Sequence, residues 1–280
     1  MNYLKLVISV AGRYQESLIA ELMEMEFNGF EQQEERIITY VPRGRLSAGD
    51  RERIEGILAD CPGEGRVESE KVIADRNWNE QWERTIRPQR IGPFLVRPTW
   101  SREAATGEAV VLEIDPKMSF GTGYHETTRL MLRALPGLLD EGDRVLDAGT
   151  GTGILAIAAC KLGASRALSV DIDRWSVTNA RENVLLNGVK ACVEVRLGSL
   201  EAVDEEERFE LAMANIERNT IVELLEPMAA RLAPGGRLLL SGLLSSDRGA
   251  VEEALPAGLQ LTGESRENDW IALTARRTGS

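Results

Sequence analysis

From about residue 125 onward, five short apolar segments alternate with stretches of helical spacing. The segments lie at 144–148, 166–171, 191–197, 209–214 and 236–241, and the helical stretches at 126–138, 153–163, 174–187 and 218–232. An apolar strand returning after each helix leads to a parallel sheet covered by helices on both faces, a doubly wound α/β arrangement. In such sheets ligands sit outside the carboxyl ends of the strands. The first strand ends in Val145-Leu146-Asp147-Ala148-Gly149-Thr150-Gly151-Thr152-Gly153, so a glycine loop falls where a ligand is expected. A helix near 248–255 and two strand-like stretches, 258–265 and 269–276, complete this half.

The first 73 residues have a different rhythm, β-α-β-β-α-β. Leu4, Leu6, Ile8 and Val10 alternate in a strand, and Leu18, Leu22 and Met25 share one side of a helix over 14–26. A strand at 36–41 stops at Pro42, a helix over 48–60 carries Ile54, Ile57 and Leu58, and 66–73 forms a closing strand. That order predicts a ferredoxin-like α+β unit.

Charge divides the chain as well. The formal charge of −12 is spread as −4 over 1–66, +2 over 67–102 and −10 over 103–280. The positive stretch holds Trp78, Trp82 and Trp100 of the five tryptophans and is read as a connector, with a helix over 75–86. The expected organisation is a domain at 1–66, a connector at 67–102 and an α/β domain at 103–280. An acidic chain is not a nucleic-acid glove, although it suits a basic protein partner. No uncharged apolar run approaches the ~20 residues of a membrane span. The first ten residues lack the pattern of a signal peptide, and the expected location is cytoplasmic. Cys61, Cys160 and Cys192 are scattered and odd in number, so no disulfide framework or zinc cluster is expected, and one histidine excludes a multi-histidine metal site.

Two cofactor chemistries fit the glycine loop. Gly151-x-Gly153-x-x-Ala156 matches a dinucleotide pattern formally. Asp147-x-Gly149-x-Gly151-x-Gly153 suits a nucleoside-bearing methyl donor, and the acid favours it, because a carboxylate attracts an ammonium and a sulfonium and repels a pyrophosphate. Asp171, 22 residues after Gly149, is placed to accept hydrogen bonds from ribose hydroxyls under either chemistry. Asp173 is read as a helix cap. Asn215, ending the fourth strand, brings a carbonyl and an amide to the same edge. Ahead of the first helix, Ser119 to Thr128 forms a polar loop able to close over a ligand, in which His125 is read as a hydrogen-bonding residue rather than a base.

Taken together, Asn77-Trp78-Asn79-Glu80, Phe120-Gly121-Thr122-Gly123-x-His125-x-Thr127-Thr128, the Asp147 to Gly153 loop, Asp171-Ile172-Asp173, Ala214-Asn215-Ile216 and Ser241-Gly242 resemble the PrmA family. That family methylates protein eleven of the large ribosomal subunit. The resemblance covers nearly the whole chain and implies a class I methyltransferase fold, S-adenosylmethionine as cofactor, and transfer to lysine and N-terminal amino groups. It places Thr128, Gly149, Asp171 and Asn215 at the cofactor; Phe120, Asp147, Gly151 and Gly153 are expected there too, Asn215 is read from its chemistry as the catalytic residue that orients the amine, and no metal is expected. It implies a ribosomal protein as partner, with no direct nucleic-acid contact; a monomer is expected. Another methyltransferase, or a nicotinamide-dependent dehydrogenase, is the alternative. The chain departs from the family at Glu217-Arg218-Asn219, where small apolar residues are usual, and at Thr150 and Thr152, where Cys and Ser are common.

Overall fold

A computed structural model describes residues 3–25, 27–42, 46–59, 65–73, 86–101, 107–117 and 119–278. The expected connector helix, with Trp78 and Trp82, lies outside the described residues.

Two compact units are present, Met1–Glu80 and Gln81–Ser280. The first contains β1 (Tyr3–Ser9), α1 (Gly12–Glu24), β2 (Asn28–Gln33), β3 (Arg36–Pro42), α2 (Ala48–Ala59) and β4 (Arg66–Ile73). Its strands form one antiparallel sheet in the order β2-β3-β1-β4. Alternation turns Leu4, Leu6 and Ile8 to one face, where they share a core with Leu18 and Leu22 of α1 and Ile54 and Leu58 of α2. Both helices therefore cover the same face of the sheet. A reciprocal cap starts α2: the Asp50 amide donates to Ser47 Oγ and the Ser47 amide donates to Asp50 Oδ2. Because β4 pairs with β1 along its length, the first unit runs past residue 66.

The second unit begins with a small sheet of β5 (Gln89–Ile91), β6 (Phe94–Arg97) and β7 (Val110–Glu113). Then follow α3 (Glu126–Ala134), β8 (Arg144–Ala148), α4 (Ile154–Lys161), β9 (Arg166–Asp171), α5 (Arg174–Leu186), β10 (Val193–Leu197), β11 (Phe209–Asn215), α6 (Arg218–Arg231), β12 (Leu232–Leu244), α7 (Arg248–Glu253), β13 (Leu259–Glu267) and β14 (Trp270–Arg277). The main sheet has the order β10-β9-β8-β11-β12-β14-β13, parallel as far as β12 and antiparallel beyond it.

Its strands are apolar on both faces because both faces are covered. Val145, Leu211, Met213 and Leu239 pack with residues of α3, α4 and α5 in one core. Their neighbours Leu146, Ala212, Ala214 and Leu240 pack with residues of α6 and α7 in a second. From β8 the chain proceeds to β9 and β10 on one side, then returns to place β11 on the other. The resulting crevice lies between the carboxyl ends of β8 and β11.

A hydrogen-bonded asparagine ladder fastens the stretch after β7 to α5. Asn187 Oδ1 accepts from the Glu113 amide and Asn183 Oδ1 accepts from the Asp115 amide. Asn183 Nδ2 also donates to the Asp115 and Thr152 carbonyls, and Asn179 Nδ2 donates to Asp115 O. One sequence expectation is overturned. Cys160 and Cys192 form a disulfide, with Cα atoms 6.1 Å apart. The sheet order brings α4 beside the turn before β10, a juxtaposition that residue spacing does not reveal.

Candidate active site

The glycine loop hangs from β9: the Gly149 and Thr150 amides both donate to the Val170 carbonyl, at 2.9 and 3.1 Å. Gly149, Gly151 and Gly153 all have positive φ, at +76°, +56° and +84°. At the first two the conformation coincides with close approach, since a Cβ on Gly149 would overlap Ile216 and one on Gly151 would overlap the Phe120 carbonyl. Gly153 lies deeper, as the cap of α4.

The loop carrying Phe120 is docked on this turn rather than loose. The Thr152 amide donates to Phe120 O at 2.9 Å and the Thr152 hydroxyl to Gly121 O at 2.6 Å. Phe120 stays 51% exposed above the cavity, and its ring meets His125 edge-on at 5.2 Å between centroids. His125 also meets Trp270 at 4.7 Å, and its Nδ1 accepts from the Thr127 amide, capping α3. The residue is occupied structurally, as its solitary position in a polar loop implied.

Asp171 ends β9. Its Oδ2 accepts from the Gly151 amide at 2.8 Å and its Oδ1 from the Asp173 amide at 2.9 Å. Each carboxylate oxygen keeps further acceptor capacity for hydroxyl donors. Asp173 caps α5 by accepting from the Trp175 and Ser176 amides.

Asp147 stands behind the loop, 1% exposed. The Thr150 hydroxyl donates to its Oδ2 at 2.6 Å, while Oδ1 has no hydrogen-bond partner among the described residues. Burial pushes its pKa up to about 6, with the negative charge of Asp171 adding to the shift and the Thr150 hydroxyl opposing it.

Asn215, the last residue of β11, faces Ser241 of β12 in register. Its Nδ2 donates to Thr128 Oγ1 at 3.4 Å, and its Oδ1 is buried without a partner among the described residues. Beneath it, Gly242 has a φ of +88°, and a Cβ there would strike the Ile216 backbone. Ser241-Gly242 therefore lets the Asn215-Ile216 turn sit low against β12.

These residues surround a cavity of about 340 Å³, within the range of small-molecule sites. Phe120, Gly149, Gly151, Asp171 and Asn215 line it; Thr128, Asp147 and Gly153 stand behind that lining. Glu217, where the sequence departs from the family pattern, lines it too; Ser176, Gly198, Ser199 and Thr220 also line it and carried no sequence expectation, and Ile172 entered only as part of the Asp171-Ile172-Asp173 motif. Gly198-Ser199 follows β10, so its place after a parallel strand was the available signal. Ile172 is 79% exposed beside Asp171, an apolar side chain next to a carboxylate with free acceptor capacity. Among the described residues no cluster of His, Cys, Asp and Glu could hold a metal ion, and no helix is long and apolar enough to cross a membrane.

Comparison with known proteins gives a concordant result. The family model for ribosomal protein L11 methyltransferase (PrmA) matches residues 3–278. A ribosomal protein L11 methyltransferase of Porphyromonas gingivalis is 41% identical over 263 residues, covering 91% of this chain and 88% of that protein. A counterpart in Thermus thermophilus is 42% identical over 219 residues, 78% of this chain and 83% of that protein. The crystal structure of a ribosomal protein L11 methylase from Lactobacillus delbrueckii subsp. bulgaricus superposes with a TM-score of 0.64 at 30% identity, over 69% of this chain and 100% of that one.

Proposed function

Since the chain belongs to the ribosomal protein L11 methyltransferase (PrmA) family, we propose that it transfers methyl groups from S-adenosylmethionine to lysine and N-terminal amino groups of ribosomal protein L11. The observation that carries the reading is Asn215: a buried carbonyl oxygen with no donor among the described residues, at the edge of the cavity. A buried acceptor left unpaired costs about 1–3 kcal/mol, so it is retained where an outside donor completes it. An amine is such a donor.

The cavity suits the cofactor. Gly149 and Gly151 leave the backbone bare where a Cβ would intrude, Asp171 offers acceptors to a ribose, and Ile172 offers a face to an adenine. Asp147 places negative charge behind the loop, complementary to a cationic cofactor. When bound, S-adenosylmethionine supplies an electrophilic methyl on a sulfonium whose departure leaves a neutral thioether.

The remaining chemistry is positioning. A lysine amine has a reference pKa of about 10.4 and must shed a proton before it attacks. Asn215 Oδ1 accepts an N–H of the neutral amine and so directs its lone pair into the cavity, and Thr128 holds the Asn215 amide in that orientation. The proton leaves to water.

We assign substrate reading to the N-terminal unit, and expect a monomeric, cytoplasmic enzyme that binds the basic ribosomal protein rather than nucleic acid or membrane. Single-turnover methyl transfer at saturating S-adenosylmethionine tests the role of Asn215. Asn215→Ala should slow it at least tenfold with the cofactor still bound, and a wild-type rate would remove Asn215 from the mechanism. Mass shifts of about 14 Da per methyl on incubated L11, as against none, test the activity itself.

A further inference from the structure

We infer that Glu217 is a specificity-determining residue, a carboxylate at the mouth of the cavity that draws in and holds the cationic form of the acceptor amine. This rests on the methyltransferase reading above and names what that site demands of its substrate.

Glu217 lies two residues beyond Asn215 and lines the same cavity. It occupies the cap position of α6, yet its side chain caps nothing. Its Oε1 instead accepts from the Thr220 hydroxyl at 3.2 Å, and Thr220 lines the cavity too. The neighbouring cation does not neutralise it. Arg218 is turned to Asn219, at 2.8 and 3.2 Å, and toward Asp247, at 3.9 Å. Among the described residues Glu217 makes no ion pair, so an exposed carboxylate is presented at the edge where Asn215 waits for a donor.

The chemistry supplies the complement. At neutral pH the approaching amine is an ammonium, and mono- and dimethylated amines also arrive as cations. A carboxylate at the reacting nitrogen would hold the proton on and oppose transfer. At the rim it acts earlier, on encounter and retention, and the deeper Asn215 amide then meets the neutral amine. The effect therefore belongs in KM and its salt dependence, not in kcat.

The test uses the full-length enzyme with ribosomal protein L11, measuring initial rates against L11 concentration at 50 and 500 mM NaCl. At low salt, Glu217→Gln should raise KM about fivefold and Glu217→Lys more than tenfold, with kcat changed less than twofold, as for loss of one rim charge. Glu217→Asp should recover most of the loss, since it keeps the charge. The wild-type advantage should shrink at high salt, and circular dichroism and melting temperature should be equal in all four proteins, which checks folding. An unchanged KM in Glu217→Gln, or a drop in kcat alone, would overturn the inference while leaving the methyltransferase reading intact. Absence of transfer by the wild type would overturn both.

Discussion

Asp147 is a buried carboxylate held at a pKa of about 6 by desolvation, and that value is measurable. Its ordinary value is 3.8, so the folded state binds a proton more tightly than the unfolded chain. Stability from this group is fully present below the unfolded pKa and is lost as pH rises through about 6. A shift of about two units corresponds to about 3 kcal/mol carried as a penalty at neutral pH. Between pH 7.5 and pH 5 the recoverable part is about 1 kcal/mol, or about 2–4 °C in the melting temperature of a unit this size. The perturbation is Asp147→Asn, which keeps the shape and removes the titration. Groups shifted the other way, such as Glu210 beside Arg144, contribute equally to both proteins and cancel in the comparison. Wild type should therefore gain on the variant as pH falls from 7.5 to 5. Carbon-13 NMR of the side-chain carboxyls should show one resonance, missing in the variant, with a midpoint near 6. A midpoint at 4 or below, or parallel melting curves for the two proteins, would refute the reasoning.

Three other expectations follow from the packing. Gly149→Ala meets both a left-handed backbone, costing about 1–2 kcal/mol, and the Ile216 side chain; calorimetry should show S-adenosylmethionine affinity reduced at least tenfold, with circular dichroism unchanged. Asn183→Ala strands the Asp115 amide and the Thr152 carbonyl, while the Asp115 carbonyl keeps its bond from Asn179; this should lower stability by about 2–4 kcal/mol in urea unfolding and weaken cofactor binding through the Thr152 turn. The disulfide joins residues 32 apart, and the chain-entropy relation gives about 4 kcal/mol for that separation; Cys192→Ala or added dithiothreitol should each lower the guanidinium midpoint, and the two effects should not add.

Much of this protein was legible without coordinates, for a local reason. Helix and strand periods, glycine turns and caps depend on near neighbours, so β8, β9, β11, the Asp173 cap and the glycine loop could be placed by spacing alone. The arrangement of Asn77-Trp78, Gly121-Thr122-Gly123 and the Asp147 loop pointed to the family for the same reason, because such motifs are contiguous. The division of the chain was harder to place. Charge and tryptophan content put a boundary at 66, whereas the strand pattern carried the first unit's closing strand on to 73, where β4 (Arg66–Ile73) pairs with β1; composition does not record pairing across sixty residues.

The sequence by itself determined the alternation of elements, the strand ends that carry Asp147, Asp171 and Asn215, and the family to which the chain belongs. Only tertiary structure decided which of these residues face one cavity and which stand behind it. It put Asp147 out of reach of water and gave it a raised pKa, left Asn215 Oδ1 without a donor among the described residues, turned Arg218 to Asn219, and joined Cys160 to Cys192. Burial, desolvation and unmet hydrogen bonds depend on what surrounds a group in space. That surrounding is supplied here by strands and helices dozens of residues away, brought together by the order of the sheet.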